Sequence, residues 1–285
     1  MEYVLHGGGI KGAAHIGVIK ALEEENINFK YVAGTSSGSI IASLYSLGYK
    51  SNEIYELFNK YSKKIKYMDF FNIVKAIVGI IFFRKILING LNSGKTIEKI
   101  VNEASLKKGK KYINELNKTV LIPSVDLHNG RICVFSSKNI RNTYIDDIIY
   151  TGDIEIGKAV RASCSYPGVF SPCKWKETEL IDGGIRENVP WKELKKVGAK
   201  NVINIVFEGE LKENSCKNIV DVVSGSIGIL CHELSNYELE GADYLLKIKT
   251  KEKIGLLDTS KIDYLYELGY ETARKNMQEI KKIIK

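Results

Sequence analysis

Proline is scarce in this sequence, with four in 285 residues, and no tract is of low complexity. Flexible linkers are built from such tracts, so a string of separated modules is not expected. The five cysteines, Cys133, Cys164, Cys173, Cys216 and Cys231, are odd in number and show no C-x-x-C spacing. That argues against a disulfide scaffold or a zinc site and for a reducing, cytoplasmic setting. Long hydrophobic runs are missing too. The greasiest stretch, Phe70 to Leu91, is interrupted by Lys75, Arg84 and Lys85. The uncharged remainder falls far short of the roughly 20 apolar residues that cross a bilayer. No basic-then-apolar leader opens the chain, and chemically suggestive residues begin at position 6, so a removable signal is not expected. No period of roughly 20–50 residues argues for a repeat array. Histidines number only four, which narrows the choice of a catalytic base.

Positive charge is abundant. The formal net charge is +8 and the pI about 9.0. Such a balance favours anionic surfaces, and lysines cluster at Lys60-Lys63-Lys64-Lys66 and Lys107-Lys108-Lys110-Lys111. No cluster is interleaved with aromatics, so nucleic acid is not an expected partner. A solvated lysine-rich surface explains the charge equally simply.

Two glycine-framed elements near the start carry the most information. His6-Gly7-Gly8-Gly9-Ile10-Lys11-Gly12 follows the strand-like Tyr3-Val4-Leu5, and Gly34-Thr35-Ser36-Ser37-Gly38 follows Tyr31-Val32-Ala33. The second reads as a strand-to-helix elbow that exposes Ser36, its glycines letting the turn form without a clash. The first offers unhindered backbone N–H groups at a helix start, where an anion can be held. A nucleophile and an oxyanion cradle point to acyl transfer. The competing reading of Ser36 is a plain helix cap, a task Ser37 or Ser39 could also fill.

Rival motifs are weaker. Gly7-x-Gly9-x-x-Gly12 fits a dinucleotide fingerprint, but the second strand runs into Gly34-Thr35-Ser36 and offers no carboxylate for a ribose. Gly94-Lys95-Thr96 resembles the end of a phosphate loop, but the preceding glycine, Gly90, is one residue too close. A base for Ser36 remains to be found. His232, on an expected helix after Asp182, leaves the order Ser36, Asp182, His232 open. Asp182 itself, delivered by a short strand into Gly183-Gly184, suits direct acceptance of the serine proton.

The order of elements is strand, glycine turn, helix, repeated, then a hairpin with strands at Val120–Asp126 and Arg131–Ser136 turning at His128-Asn129-Gly130. Helix caps are expected at Ser93 and Asp153, with Pro190 as a first helical residue. A closing amphipathic helix is expected over Ile262–Ile284. One domain over 1–285 is expected, carrying an apolar helical insertion or flap at about 65–92.

Together these elements resemble the patatin-like phospholipases. The resemblance rests on Gly7-Gly8-Gly9-Ile10-Lys11-Gly12, Gly34-Thr35-Ser36-Ser37-Gly38 and Asp182-Gly183-Gly184. It is joined by Ala162-Ser163-Cys164-Ser165-Tyr166-Pro167-Gly168-Val169-Phe170, and the four come in the family's order over roughly residues 3 to 208. One departure is His6, where an acidic residue commonly precedes the glycines. The resemblance implies a three-layer α/β/α sandwich with a mostly parallel sheet, and a Ser–Asp dyad with Ser36 as nucleophile and Asp182 as base. It implies an oxyanion hole from Gly7, Gly8 and Gly9, foremost Gly8 and Gly9, with Lys11 a candidate contact to the loop or to a head-group phosphate. No metal or organic cofactor is implied. The implied substrate is a phospholipid, lysophospholipid or related lipid ester, met at a peripheral membrane surface. A catalytically silent membrane-binding protein on the same fold is the alternative.

Overall fold

The computed structural model describes residues 2–65, 70–85, 87–140, 147–208, 219–252 and 254–284. Residues 66–69 and 86 of the expected apolar insertion, and Cys216, lie outside them.

The chain opens with β1 (Glu2–Leu5), α1 (Gly12–Glu24), β2 (Tyr31–Gly34) and α2 (Ser37–Ser46). Helices α3 (Ser51–Ser62), α4 (Phe70–Phe83) and α5 (Lys95–Lys107) follow, then β3 (Thr119–Asp126), β4 (Ile132–Ser136) and β5 (Ile148–Thr151). The second half holds α6 (Ile156–Ser163), β6 (Cys173–Trp175), β7 (Thr178–Asp182), α7 (Trp191–Lys196) and β8 (Val202–Glu208). It closes with α8 (Ile219–Glu238), β9 (Tyr244–Lys249), α9 (Ile262–Lys275) and α10 (Met277–Ile284).

The strands form one sheet in the order β5-β4-β3-β2-β1-β8-β9, with β7 on β3 and β6 on β7. The pairs β1–β2, β1–β8, β2–β3, β4–β5 and β8–β9 are parallel. Period-two alternation sends Tyr3, Leu5, Val32, Val120 and Ile122 into one core, where helices α1, α2 and α9 pack. The alternate residues Val4, Ala33 and Leu121 enter a second core against Trp191 and Leu194 of α7. Helices therefore cover both faces, the expected sandwich.

The topology around β3 positions the site. Parallel β2 pairs with β3 up to Ala33 opposite Leu121. Antiparallel β7 pairs farther along β3, with Asp182 opposite Ser124. Residues 124 and 125 of β3 also pair with β4, so β7 must share the β2 side. Strands β2 and β7 thus run towards each other along one edge of β3. Their last paired positions, Ala33 and Asp182, are separated by three β3 residues, about 10 Å at about 3.3 Å each. The Gly34–Ser36 turn fills that gap.

Several expected boundaries move. Gly94, in the left-handed region, is the N-cap of α5, while the Ser93 hydroxyl accepts the Lys95 amide from just outside. Glu155 replaces Asp153 as the N-cap of α6, and Pro190 stands at the cap of α7 rather than inside it. The closing helix is two helices, meeting where Asn276 caps α9. Strands β5 and β6 were not anticipated; each is short, and neighbours rather than local pattern make them strands.

Candidate active site

Ser36 sits at φ 52°, ψ −124°, a strained conformation for a residue with a Cβ. The elbow holds it there. The Gly38 amide donates to Thr35 O (2.8 Å), and the Ser36 carbonyl accepts from the Ser39 amide (2.9 Å) and hydroxyl (2.6 Å). A Cβ on Gly38 would lie 2.2 Å from the Leu5 carbonyl, and one on Gly34 2.4 Å from the Gly38 carbonyl. Both framing glycines are therefore steric requirements. Ser36 occupies the N-cap position of α2, yet its hydroxyl makes no capping bond. The competing cap reading does not hold, and the hydroxyl is left for another task. Its amide donates to the Ser163 hydroxyl (3.0 Å).

Asp182 is almost wholly buried. Its Oδ1 accepts from the Gly184 amide at 2.8 Å. Oδ2 is buried with no hydrogen-bond partner among the described residues, and the Ser36 hydroxyl is near enough to pull the Asp182 pKa down. Burial pushes the Asp182 pKa up to about 7, against smaller opposing pulls from Ser36 and Gly184. The carboxyl is thus poised between acid and base near neutrality. His232 is not among its partners. The open order Ser36, Asp182, His232 thus has no hydrogen-bonded support. Cys164, buried below, feels both Ser36 and Asp182 and lies 3.9 Å from the Ser39 hydroxyl.

The glycine loop borders Ser36 directly: a Cβ on Gly7 would lie 3.2 Å from Ser36 Cβ. Its amides are divided. Ile10 donates to Leu256 O (2.9 Å) and Lys11 to Gly8 O (3.2 Å). Gly7, expected among the oxyanion donors, donates to Asn188 Oδ1 (3.2 Å) instead. The Gly8 and Gly9 amides make no hydrogen bond among the described residues, which leaves them free for an anion. Gly9 has φ 59°, and a Cβ there would meet the Leu256 carbonyl at 2.4 Å. Lys11 is half-buried over the Phe207 ring, and burial lowers its pKa.

A small apolar cavity of about 50 Å³ is lined by Ser36 and Gly9. Ile40, Phe58, Tyr61, Ile97, Phe170 and Leu256 supply its greasy walls. No group of residues that could hold a metal occurs among the described residues.

The sequence model of the patatin-like phospholipases matches residues 3–195, which include the glycine loop, the Ser36 elbow and the Asp182 turn. The chain belongs to the patatin-like phospholipase family. It is 33% identical to the uncharacterized protein YqhO of Bacillus subtilis over 226 residues, 77% of this chain and 75% of that one. It is 30% identical to the lysophospholipase NTE1 of Meyerozyma guilliermondii over 222 residues, 78% of this chain but 13% of that protein. The match to Candida albicans NTE1 is similar, 29% over 225 residues, again a small part (14%) of the relative against 78% of this chain. Among solved structures, VipD from Legionella pneumophila superposes with a TM-score of 0.51 at 14% identity, covering 98% of this chain and 66% of that one. ExoU, in its complex with SpcU from Pseudomonas aeruginosa, gives 0.50 at 18% identity, covering 98% and 51%. These two likenesses establish the fold.

Three contributors to this patatin-like site escaped sequence reasoning. Ser163 stands out in the sequence only as part of a block, Cys164 only there and as one of five cysteines, and Asn188 not at all. Nothing in their local spacing marks them, because their roles come from contacts across 127, 125 and 181 positions of chain.

Proposed function

We propose that this chain is a lipid acyl hydrolase working through an acyl-Ser36 intermediate. The observation that carries the reading is the convergence of a strained, uncapped Ser36 hydroxyl on a buried Asp182 carboxyl beside an apolar cavity. Asp182 accepts the Ser36 proton as Oγ attacks the ester carbonyl carbon. The Gly8 and Gly9 amides hold the resulting oxyanion, each donor being worth about 10²–10³ in kcat. Collapse expels the alcohol, which takes the proton back from Asp182, and leaves the acyl group on Ser36. Water then attacks the acyl-serine with Asp182 again accepting a proton, and collapse breaks the bond to Ser36 Oγ, which takes that proton back as the fatty acid leaves. The apolar cavity walls meet the acyl chain next to the ester, and Lys11, with no carboxylate partner among the described residues, offers charge to a head-group phosphate.

The substrate lies in a membrane surface. No helix among the described residues is long and apolar enough to cross a membrane. Instead α4 presents Phe70 and Phe82, each 74% exposed, with Ile73, Ile77, Ile81 and Phe83 also exposed. Exposed Arg84 and Lys85 adjoin that face. The link after α4 is tied to the cavity, since Asn92 bridges to Phe170. Such a face suits shallow insertion beside anionic head groups. The reducing setting fits the free thiols at Cys133, Cys164, Cys173 and Cys231, and a cytoplasmic leaflet is the proposed location.

A fluorophosphonate probe and mass spectrometry of mixed phospholipid and lysophospholipid vesicles test the reading. Labelling and fatty-acid release are expected from the wild type and from neither in Ser36→Ala. A wild type that takes no label and releases nothing would leave a silent lipid-binding protein.

A further inference from the structure

The glycine loop has little of its own to hold it in shape. Three consecutive glycines are conformationally permissive, yet an oxyanion site must be rigid before the reaction begins. The peptide unit joining His6 to Gly7, where the loop leaves β1, is held at both ends by buried side chains. Its N–H donates to Asn188 Oδ1 (3.2 Å), and its carbonyl accepts from His15 Nε2 (2.9 Å).

Asn188 suits this position chemically. Its Nδ2 donates to the Ser235 hydroxyl (2.8 Å) and faces His6 Nε2 at 2.9 Å. The Ser235 proton is already spent on the Cys231 carbonyl (2.7 Å), so Ser235 can only accept from Asn188. Turning the amide over would set Nδ2 against the Gly7 donor and Oδ1 against Ser235, so one orientation is forced. Burial keeps His6 and His15 neutral, with pKa values lowered to about 3 and about 4, which leaves His6 Nε2 free to accept. The Asn188 backbone amide is in turn held by Glu238 of α8 at 3.0 and 3.1 Å. A short side chain that donates on one side and accepts on the other is required, and asparagine provides it.

Asn188 also stands on the segment that carries Asp182. A Cβ on Gly184 would lie 3.1 Å from Asn188 Oδ1 and 3.1 Å from Asp182 Oδ1. The same side chain therefore touches the loop beside the nucleophile and the turn that presents the base.

We propose that Asn188 is a positioning residue that clamps the His6–Gly7 peptide, with His15 as the opposing jaw, and so fixes the Gly8 and Gly9 amides relative to Ser36 and Asp182. This rests on the acyl-hydrolase reading for its catalytic consequence, though not for the clamp itself. It is tested with Asn188→Leu, close in size but without donor or acceptor, and independently with His15→Phe. Three quantities are measured: kcat and KM on p-nitrophenyl butyrate, affinity for an acyl trifluoromethyl ketone, and hydrogen–deuterium exchange of peptides covering residues 3–13. For each folded variant, kcat falls by about 10²-fold, ketone affinity falls in parallel, KM changes little, and exchange in the loop speeds up. Asn188→Asp, which keeps the acceptor towards Gly7, recovers part of the kcat lost in Asn188→Leu. Loop exchange and kcat both at wild-type levels in either folded variant would overturn the clamp. An inactive wild type whose loop still loosens in Asn188→Leu would sink the hydrolase reading and leave the clamp standing.

Discussion

Asp182 sets the pH behaviour of the proposed reaction. Its pKa is raised to about 7, so the carboxylate that must accept the Ser36 proton is scarce below neutrality. We expect kcat/KM for a soluble ester to rise about tenfold per pH unit below 7 and to level off above it. A flat profile from pH 5 to 8 would contradict the role. Asp182→Asn should lower kcat by at least about 10³-fold, from loss of the base. The same change removes a buried group that resists ionising. Thermal melts at pH 8–9 should therefore find the variant more stable than the wild type, by about 1–2 kcal/mol.

Close backbone approach dominates at the scale of elements. Helices α1 and α9 meet through two glycines. A Cβ on Gly269 would fall 2.0 Å from the Ala14 carbonyl, and one on Gly17 1.9 Å from the Tyr266 carbonyl. Gly269→Ala must push the helices apart, at a cost of about 1–3 kcal/mol or more in denaturant unfolding. A variant of unchanged midpoint would refute this contact. Helix α4 makes the opposite case, with its apolar side turned to solvent. Replacing Phe70 and Phe82 together by aspartate should cut binding to anionic vesicles at least about tenfold, while p-nitrophenyl butyrate turnover in solution stays near wild type. Sedimentation with vesicles reads the first quantity, and equal sedimentation would exclude α4 as the docking element.

Over the whole molecule, buried ionisable groups bound the stable pH range. Burial raises Glu187 to about 9, with Glu238 and Glu193 adding to it, and raises Glu238 itself to about 7. Groups raised in this way stabilise the fold below their unfolded pKa, near 4, and that contribution is lost as pH climbs through 7 to 9. His6 and His15 are depressed to about 3 and about 4. Their contribution is present above about 6.5 and is lost as pH falls towards 4. The melting temperature should peak between these limits and fall on both sides, most clearly by pH 9. The net charge of +8 adds a salt dependence to vesicle binding, which should weaken as ionic strength rises.

The sequence by itself determined the parts of this protein that are local. Gly34 and Gly38 frame Ser36 because a tight elbow excludes any Cβ there, and the unbroken apolar run Tyr3-Val4-Leu5 marks a strand buried on both faces. The Asp182-Gly183-Gly184 turn was legible for the same reason, as was the hairpin at Asn129-Gly130. Tertiary structure decided which of these parts meet. Only the antiparallel placement of β7 on the β2 side of β3 brings position 182 to position 36. Only the fold turns the Gly7 amide onto Asn188 and away from the proposed oxyanion site. Local chemistry is written in neighbouring residues, whereas hydrogen bonds across 181 positions leave no periodic trace, because their geometry is fixed by the packing of the sheet and its helices.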